Sequence, residues 1–284
     1  MSKVKSLCLP FVIVLAASPF SLAGDIAQDV RSGESSKREN GGYFGIGLSA
    51  SNITGGRVYD DGDNVDDYVG ITIGGDYYYN GFFIEASQGT SDGLNLGYNF
   101  FNKGRWSLDL LASSVQGKFD DEVDEKINSL DENVRNDALQ DRNTLYNGAG
   151  IRATAHFDDY IFQYRLVTDI HEGSGMTSTA RIGRSWQIQN WNVHGVFSLE
   201  YSSEETNNYL YGVSEQESTT RFPRYSLGSS LSYSTEVGVT YPLTEHSVFS
   251  SFIRYTDLAN SIKESPLMER GNQTYWVSSV SYIF

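Results

Sequence analysis

The sequence predicts an all-β protein, a transmembrane antiparallel β-barrel of about 12 strands with both termini on the periplasmic side. Three observations predict it. Apolar residues recur at every second position in twelve segments, the connections between these segments alternate between long and short, and the chain ends on an aromatic residue. The 284 residues are 13% aromatic and include 28 glycines, a composition that favours pleated strands over helices.

The first 23 residues are predicted to be a cleaved signal peptide. Lys3 and Lys5 form a basic start, an apolar stretch follows over residues 7–15, and residues 21–23 form a small-x-small cleavage site. The apolar stretch is shorter than the about 20 residues that a membrane-spanning helix needs. A short buried helix at the N-terminus is the alternative interpretation.

Export leaves two predicted regions, a flexible periplasmic leader over residues 24–42 and a barrel over residues 43–284. The leader is polar and carries both signs of charge, so it has little to bury. The one cysteine, Cys8, lies in the predicted signal peptide, which excludes a disulfide or a thiol nucleophile from the exported chain. A net charge of −15 makes nucleic acid an unfavourable partner.

The twelve segments supply the strands of the predicted barrel. In the segments with the most regular alternation, apolar residues alternate with glycine, serine, asparagine or charged residues. The segments cover residues 44–50, 69–79, 82–87, 94–100, 106–112, 149–157, 160–166, 178–188, 191–201, 231–241, 247–255 and 275–284.

The connections distinguish a membrane barrel from a soluble sandwich, which shares the period of two. Every second connection is brief, as at Asn80-Gly81, whereas most of the others are longer and polar, as over residues 117–146. Short turns at one end and long loops at the other are typical of outer-membrane barrels. Pro223, Pro242 and Pro266 all fall in predicted connections. A soluble sandwich remains the alternative.

The C-terminal strand carries a further signal. Trp276, Val280, Tyr282 and Phe284 are predicted to lie on one face, and the chain ends at Phe284. A terminal strand that ends in an aromatic residue resembles the signal read by the bacterial barrel-assembly machinery, which is therefore an expected partner together with outer-membrane lipid.

Charged residues also occur at positions that the alternation turns towards the barrel interior. The predicted lumen-facing charges are Glu85, Asp109, Arg152, Arg165, Arg181, Glu200, Glu236 and Arg254. They would either select small solutes or hold a narrow barrel together as ion pairs. Both signs are present, and buried charges need partners, so we favour the ion-paired interior.

Two loop segments resemble the MipA/OmpV family of outer-membrane proteins. They are Tyr209-Leu-Tyr-Gly-Val-Ser-Glu215 and Ser265-Pro-Leu-Met268, followed by a terminal Tyr-x-Phe; the order Arg135, Asp137, Gly148 is also similar. Met268 stands where the family pattern leads us to expect valine. The resemblance implies an outer-membrane barrel and, in its best-known member, a scaffold between a lytic transglycosylase and a penicillin-binding protein. It implies no catalytic residues.

Three other segments have patterns of interest: two are compatible with chemistry that their spacing does not support, and the third with a helix. His171 and Ser174 lack evidence of a third group that would orient a base. The acidic run over residues 60–67 lacks the glycine and glutamate that an EF-hand loop requires. Residues 117–146 contain apolar residues at helical spacing, which is compatible with an amphipathic helix over the barrel mouth or with a mobile loop.

The sequence therefore predicts no enzyme, no cofactor and no metal site. Two function classes stay open: a structural or scaffold barrel that associates with murein-modifying enzymes, and a small-solute channel of the outer membrane of a Gram-negative cell. An outer-membrane hydrolase is a third possibility, based only on His171 and Ser174.

Overall fold

The computed structural model contains a single closed β-barrel. It describes residues 40–55, 67–86, 94–115, 146–157, 159–170, 175–268 and 271–284. The predicted signal peptide, the acidic run over residues 60–66, His171, Ser174 and the helical spacing within residues 117–145 lie outside these ranges. No helix of the described residues is long and apolar enough to cross a membrane.

The barrel has twelve antiparallel strands, each paired with its neighbour in sequence, and β1 closes on β12. The predicted class and strand number are therefore confirmed. The strands are β1 Gly41–Gly55, β2 Asp67–Tyr79, β3 Phe82–Ala86, β4 Asn95–Lys103, β5 Trp106–Val115, β6 Tyr146–Phe157, β7 Tyr160–Asp169, β8 Met176–Ile188, β9 Trp191–Ser202, β10 Ser230–Pro242, β11 Ser247–Asp257 and β12 Asn272–Ile283.

The period of two separates an apolar outer surface from a polar interior. On β7, for example, Phe162 and Tyr164 alternate with the buried Ile161, Gln163 and Arg165. Leu48, Val69 and Ile71 are exposed on the outside of neighbouring strands, as expected for a surface that faces lipid rather than water.

Short turns join the strands at one end of the barrel, which we call the short-turn end. The β2–β3 turn consists of Asn80 (φ 49°) and Gly81 (φ 88°), two positive φ values that suit the twist of a tight hairpin. Trp106, Tyr160 and Trp191 each begin a strand at this end. These side chains form part of an aromatic girdle of the kind found where a barrel meets the membrane surface.

Two details differ from the sequence prediction. Pro242 is the last residue of β10 rather than part of a connection, and it lies beyond Thr240, where pairing with β9 ends. An extra residue interrupts the β4–β5 register between Asn99 and Phe101, so that Phe100 and Phe101 are both exposed. Such a bulge bends the strand.

The opposite end contains ordered structure within two long connections. Helix α1 (Glu204–Tyr211) follows β9, and helix α2 (Asn260–Lys263) follows β11. Ser203 is the N-cap residue of helix α1, because its hydroxyl accepts a hydrogen bond from the backbone N–H of Thr206. We call residues 203–229 and 258–268 together the cap.

The C-terminal residue lies at the seam between the first and last strands. The backbone N–H of Phe284 donates to the Phe44 carbonyl at 2.9 Å, and the Phe284 ring lies 4.8 Å from that of Tyr282. Trp276, Val280, Tyr282 and Phe284 are all exposed on the outer surface, in agreement with the predicted shared face.

Deleting Phe284 is expected to reduce the yield of assembled barrel, because it removes a hydrogen bond and an aromatic contact at the closing seam. The measurement compares unboiled and boiled samples on a denaturing gel, since a folded barrel migrates differently. Phe101→Ala removes an exposed aromatic side chain away from the seam and serves as the control. Equal yields from the deletion and the control would contradict the prediction.

Candidate functional site

The candidate site is the polar interior of the barrel. Seven of the eight predicted charges are buried there, and Glu200 is half-buried near the cap. The buried seven are Glu85, Asp109, Arg152, Arg165, Arg181, Glu236 and Arg254, and none is more than 5% exposed.

The first interior cluster is centred on Arg152 of β6. Its Nη1 and Nη2 donate to Glu85 of β3 at 2.7 and 3.0 Å, and its Nε donates to Asp109 of β5 at 2.7 Å. Asp109 lies directly opposite Arg152 in the β5–β6 register. One guanidinium thus bridges two carboxylates, and the bidentate contact with Glu85 is the strong form of such a pair.

Neutral groups complete the first cluster. The Tyr78 hydroxyl donates to Glu85, and the Asn99 amide donates to Asp109 at 2.6 Å. The Arg152 guanidinium also lies over the Phe83 ring, 4.9 Å from its centroid. The carboxylates are therefore hydrogen-bonded as well as paired, which is what burial of charge requires.

The second cluster surrounds Arg165 and Arg181 and is held by neutral polar groups. Arg165 donates to the Asn95 amide oxygen at 3.2 Å and to the Ser113 hydroxyl. Arg181 donates to Gln163 at 3.2 Å, and the two residues lie directly opposite each other on β8 and β7.

The hydrogen bonds of the first and second clusters also separate two arginines that lie opposite each other. Arg165 lies opposite Arg152 in the β6–β7 register, and like charges in that position repel. Arg152 binds the carboxylates of β3 and β5, whereas Arg165 binds neutral groups of β4 and β5. The two guanidinium groups thus have separate sets of partners.

The third cluster is centred on Glu236 of β10. Arg254, opposite it on β11, donates to one carboxylate oxygen, and His194 Nε2 lies 3.1 Å from the other. The glutamate thus joins three neighbouring strands across the interior side of the barrel wall.

The cap meets the interior where Glu200 lies. Burial raises the pKa of Tyr211, on α1, to about 12, and the Glu200 carboxylate adds to the rise. The Asn207 side chain of α1 is fully buried; its amide donates to the Gly228 carbonyl at 2.7 Å and its oxygen accepts from the Ser230 hydroxyl. The cap is therefore fixed to the inner side of β9 and β10.

The cap has a small apolar core of its own. Val213, Phe222 and Leu267 pack together, with Tyr225 against them. The Ser265 hydroxyl donates to the Tyr211 carbonyl at 2.6 Å and so links the two connections. The two segments that carry the family resemblance are therefore in direct contact, although sequence analysis places them in separate loops.

Within the described residues, no group of three or more His, Cys, Asp or Glu side chains could hold a metal ion. The histidine that contacts a carboxylate, His194, is part of the third ion-paired cluster.

Comparison with known proteins gives a family match and several partial relatives. The family model described as MltA-interacting protein MipA matches residues 45–284. The chain is 30% identical over 86 residues to outer membrane protein Omp26La of Vibrio anguillarum and to OmpV of Vibrio cholerae, matches that cover 30% of the chain and 34% of each relative. It is 25% identical over 116 residues to the Escherichia coli K12 protein YiaT, covering 40% of the chain and 47% of YiaT. The matches thus span a third to a half of these relatives' lengths.

Two solved structures have a similar outline at low sequence identity. A NanC porin structure gives a TM-score of 0.43 at 9% identity and covers 84% of this chain and 98% of that one. A Pseudomonas aeruginosa FadL homologue gives 0.41 at 9% identity, with 86% and 90% covered.

Proposed function

We propose that this chain, which belongs to the MipA family of MltA-interacting proteins, is a non-enzymatic barrel that holds murein-modifying enzymes at the outer membrane. The chain is a β-barrel of the outer membrane, as its relatives are and as the sequence predicts. Its resemblance to the family is confirmed by the match over residues 45–284. The scaffold role and its partners are the proposal.

The observation that carries the proposal is the ion-paired interior. Solvent reaches at most 5% of the surface of any of the seven buried charged residues, and each of them has a hydrogen-bond partner in one of the three clusters. A channel for small solutes needs charges that a hydrated solute can approach. Charges that bind one another stabilise the barrel wall instead, which suits a structural role.

The partners would bind outside the barrel, at the periplasmic side. The name of the family refers to an interaction with MltA, and the resemblance implies a lytic transglycosylase and a penicillin-binding protein as partners. The short turns offer little surface there. Residues 24–42 carry both signs of charge, so they suit a weak, salt-sensitive association rather than a large apolar interface.

Affinity capture of the full chain from cross-linked envelopes tests the proposal. Murein-modifying enzymes are expected in the captured fraction, and their recovery is expected to fall when residues 24–40 are deleted. A matched control replaces residues 24–40 with a glycine–serine segment of equal length, which keeps the spacing but removes the charges. This control should lose partners as the deletion does, while the barrel remains folded.

Conductance of the purified barrel in planar bilayers is the opposing measurement. A scaffold with an ion-paired interior is expected to give no stable solute-dependent current. Stable currents together with no captured envelope partner would replace the scaffold with the small-solute channel.

Ser174→Ala is expected to leave every phenotype unchanged, because the sequence gives Ser174 no evident base and no oriented His171. Labelling with a fluorophosphonate probe is the direct measurement, since an activated serine reacts covalently. The expected result is equal, background labelling of the wild type and the variant. Labelling that depends on Ser174 would support a hydrolase and overturn the non-enzymatic assignment.

A further inference from the structure

Helix α2 is held against the outer rim of the barrel by its last residue. The Lys263 ammonium donates to the carboxylate of Asp257, the last residue of β11. Asp257 lies two residues after the exposed Tyr255, so alternation places its side chain on the outer face of the wall. The second connection of the cap, residues 258–268, is therefore tied to the outside of the barrel, whereas its Leu267 packs in the cap core.

The two neighbouring strands supply further partners for Asp257. In the registers of the sheet, Tyr233 of β10 and Asn272 of β12 lie directly opposite it. The Tyr233 hydroxyl donates to the carboxylate. The Asn272 amide, oriented to suit its neighbours, donates to Asp257 Oδ1 at 2.6 Å and accepts from the Tyr255 hydroxyl at 2.9 Å. Asp257 is thus already fixed where Lys263 meets it, which lowers the entropic cost of the ion pair.

The aliphatic stem of Lys263 lies across the backbone at Gly271. A Cβ atom at Gly271 would overlap Lys263 Cγ, so a larger residue would displace the stem. The Gly271 carbonyl also accepts from the Leu258 backbone N–H at 3.3 Å, where the second connection leaves β11. The position of Lys263 therefore depends on the space above Gly271 as well as on charge.

The Lys263–Asp257 pair is open to the solution, unlike the pairs inside the barrel. The side chains of Lys263 and Asp257 are 27% and 21% exposed, whereas those of Arg152 and Glu85 are 2% exposed. Dissolved ions screen a partly exposed pair far more than a buried one. A change in ionic strength therefore acts on the attachment of α2 and leaves the interior pairs in place.

The first connection of the cap, residues 203–229, is attached by neutral groups. The Ser203 backbone N–H donates to the Met176 carbonyl at 3.0 Å, and the Ser203 hydroxyl accepts from the Met176 N–H at 3.1 Å. The Asn208 amide donates to the Leu227 carbonyl at 2.6 Å, and its oxygen accepts from the Leu227 N–H at 2.8 Å. None of these four bonds involves a charged group, so screening has little effect on them.

We propose that the Lys263–Asp257 ion pair is a salt-sensitive latch, which holds α2 at the rim in dilute solution and releases it as ionic strength rises. The Ala259 backbone N–H still donates to the Ser232 hydroxyl of β10 at 3.1 Å, so residues 258–268 loosen without leaving the barrel. Residues 203–229 keep their neutral attachments. The latch lies outside the ion-paired interior, so it does not depend on the scaffold role.

Hydrogen exchange of the purified full chain, followed by mass spectrometry, tests the latch at about 0.1 M and about 1 M sodium chloride, where the Debye length falls from about 10 Å to about 3 Å. Amides of residues 258–268 in the wild type should exchange about twofold faster at high salt. Lys263→Met should raise their exchange about two- to fivefold at low salt and remove the salt effect. Amides of residues 203–229 should keep their protection.

Charge exchange separates the ion pair from the loss of a side chain. Lys263→Asp and Asp257→Lys should each speed the exchange of residues 258–268, and the two together should restore the slow rate, since the pair forms in reverse. Lys263→Arg should keep the slow rate. Gly271→Ala should speed exchange with no change of charge, because it displaces the Lys263 stem.

Lys103→Met is the matched control, because it removes an exposed lysine at the short-turn end. It should behave as the wild type does at both salt concentrations, and migration of unboiled samples verifies that each variant is folded. Three results would overturn the inference: no salt effect on residues 258–268 of the wild type, a salt effect that persists in Lys263→Met, and a double charge exchange that is as fast as the single ones.

Discussion

Arg152→Leu is expected to destabilise the barrel by about 3–5 kcal/mol, because it leaves the Glu85 and Asp109 carboxylates buried without their cation. The measurement is the urea midpoint of unfolding, followed by tryptophan fluorescence and by the migration of unboiled samples. Arg184→Gln is the matched control: the Arg184 side chain is 30% exposed and its partner Asp159 64% exposed, so the loss should stay within about 1 kcal/mol.

A compensated variant distinguishes charge from packing at the same site. Arg152→Met combined with Glu85→Gln and Asp109→Asn removes all three charges and keeps similar volumes. Buried ion clusters replaced in this way often lose little stability or gain some. We therefore expect the triple variant to be more stable than Arg152→Leu. Equal destabilisation of the two, or a loss below about 1 kcal/mol in Arg152→Leu, would show that the ion pairs do not hold the barrel together.

The strands could be predicted from sequence because the barrel imposes a period of two on every element. Lipid on one side and polar neighbours on the other leave no intermediate environment. Even the short strand β3 is predictable, since Phe82 and Ile84 alternate with Phe83 and Glu85. The bulge after Asn99 is not predictable, because the adjacent Phe100 and Phe101 permit either register.

The interior charges could be listed from sequence, but their partners could not. Alternation predicts only the side of the sheet on which a residue lies. Register between strands decides that Asp109 faces Arg152 and that Arg165 contacts Ser113, 52 positions away in sequence. Neutral partners such as Gln163 and Asn95 give no signal of their own, because a polar residue at an inward position does not reveal which charge it contacts.

The cap could not be predicted from the sequence, for a different reason. Its core consists of Val213, Phe222 and Leu267, which lie in two connections separated by the β10–β11 hairpin. No period relates them, so each connection resembles a polar loop when considered alone. Ser203, followed by two glutamates, is a recognisable helix N-cap signal, and it predicts the start of α1.

Leu267→Ala is expected to open the cap without unfolding the barrel. Leu267 is 1% exposed at the centre of the cap core, and removing a buried leucine side chain costs about 2–5 kcal/mol. The cap is bound to the barrel by hydrogen bonds, such as that from the Ser230 hydroxyl of β10 to the Asn207 side-chain oxygen, so the loss should remain local.

Hydrogen exchange, followed by mass spectrometry, measures this opening region by region. Amides in residues 203–229 should exchange at least about 30-fold faster in the variant, whereas amides of the barrel strands should keep their protection. Leu243→Ala, at a half-exposed position in the β10–β11 turn at the other end, is the matched control and should change neither region. Faster exchange throughout the barrel would mean that the cap is part of the same cooperative unit.

The same variant separates the two possible barriers to conduction. The ion-paired clusters lie within the strands and do not involve Leu267, so they should remain when the cap opens. A barrel whose interior is held by those pairs is expected to stay non-conducting in planar bilayers after Leu267→Ala. A current that appears only in this variant would locate the barrier in the cap and favour a gated channel over a scaffold.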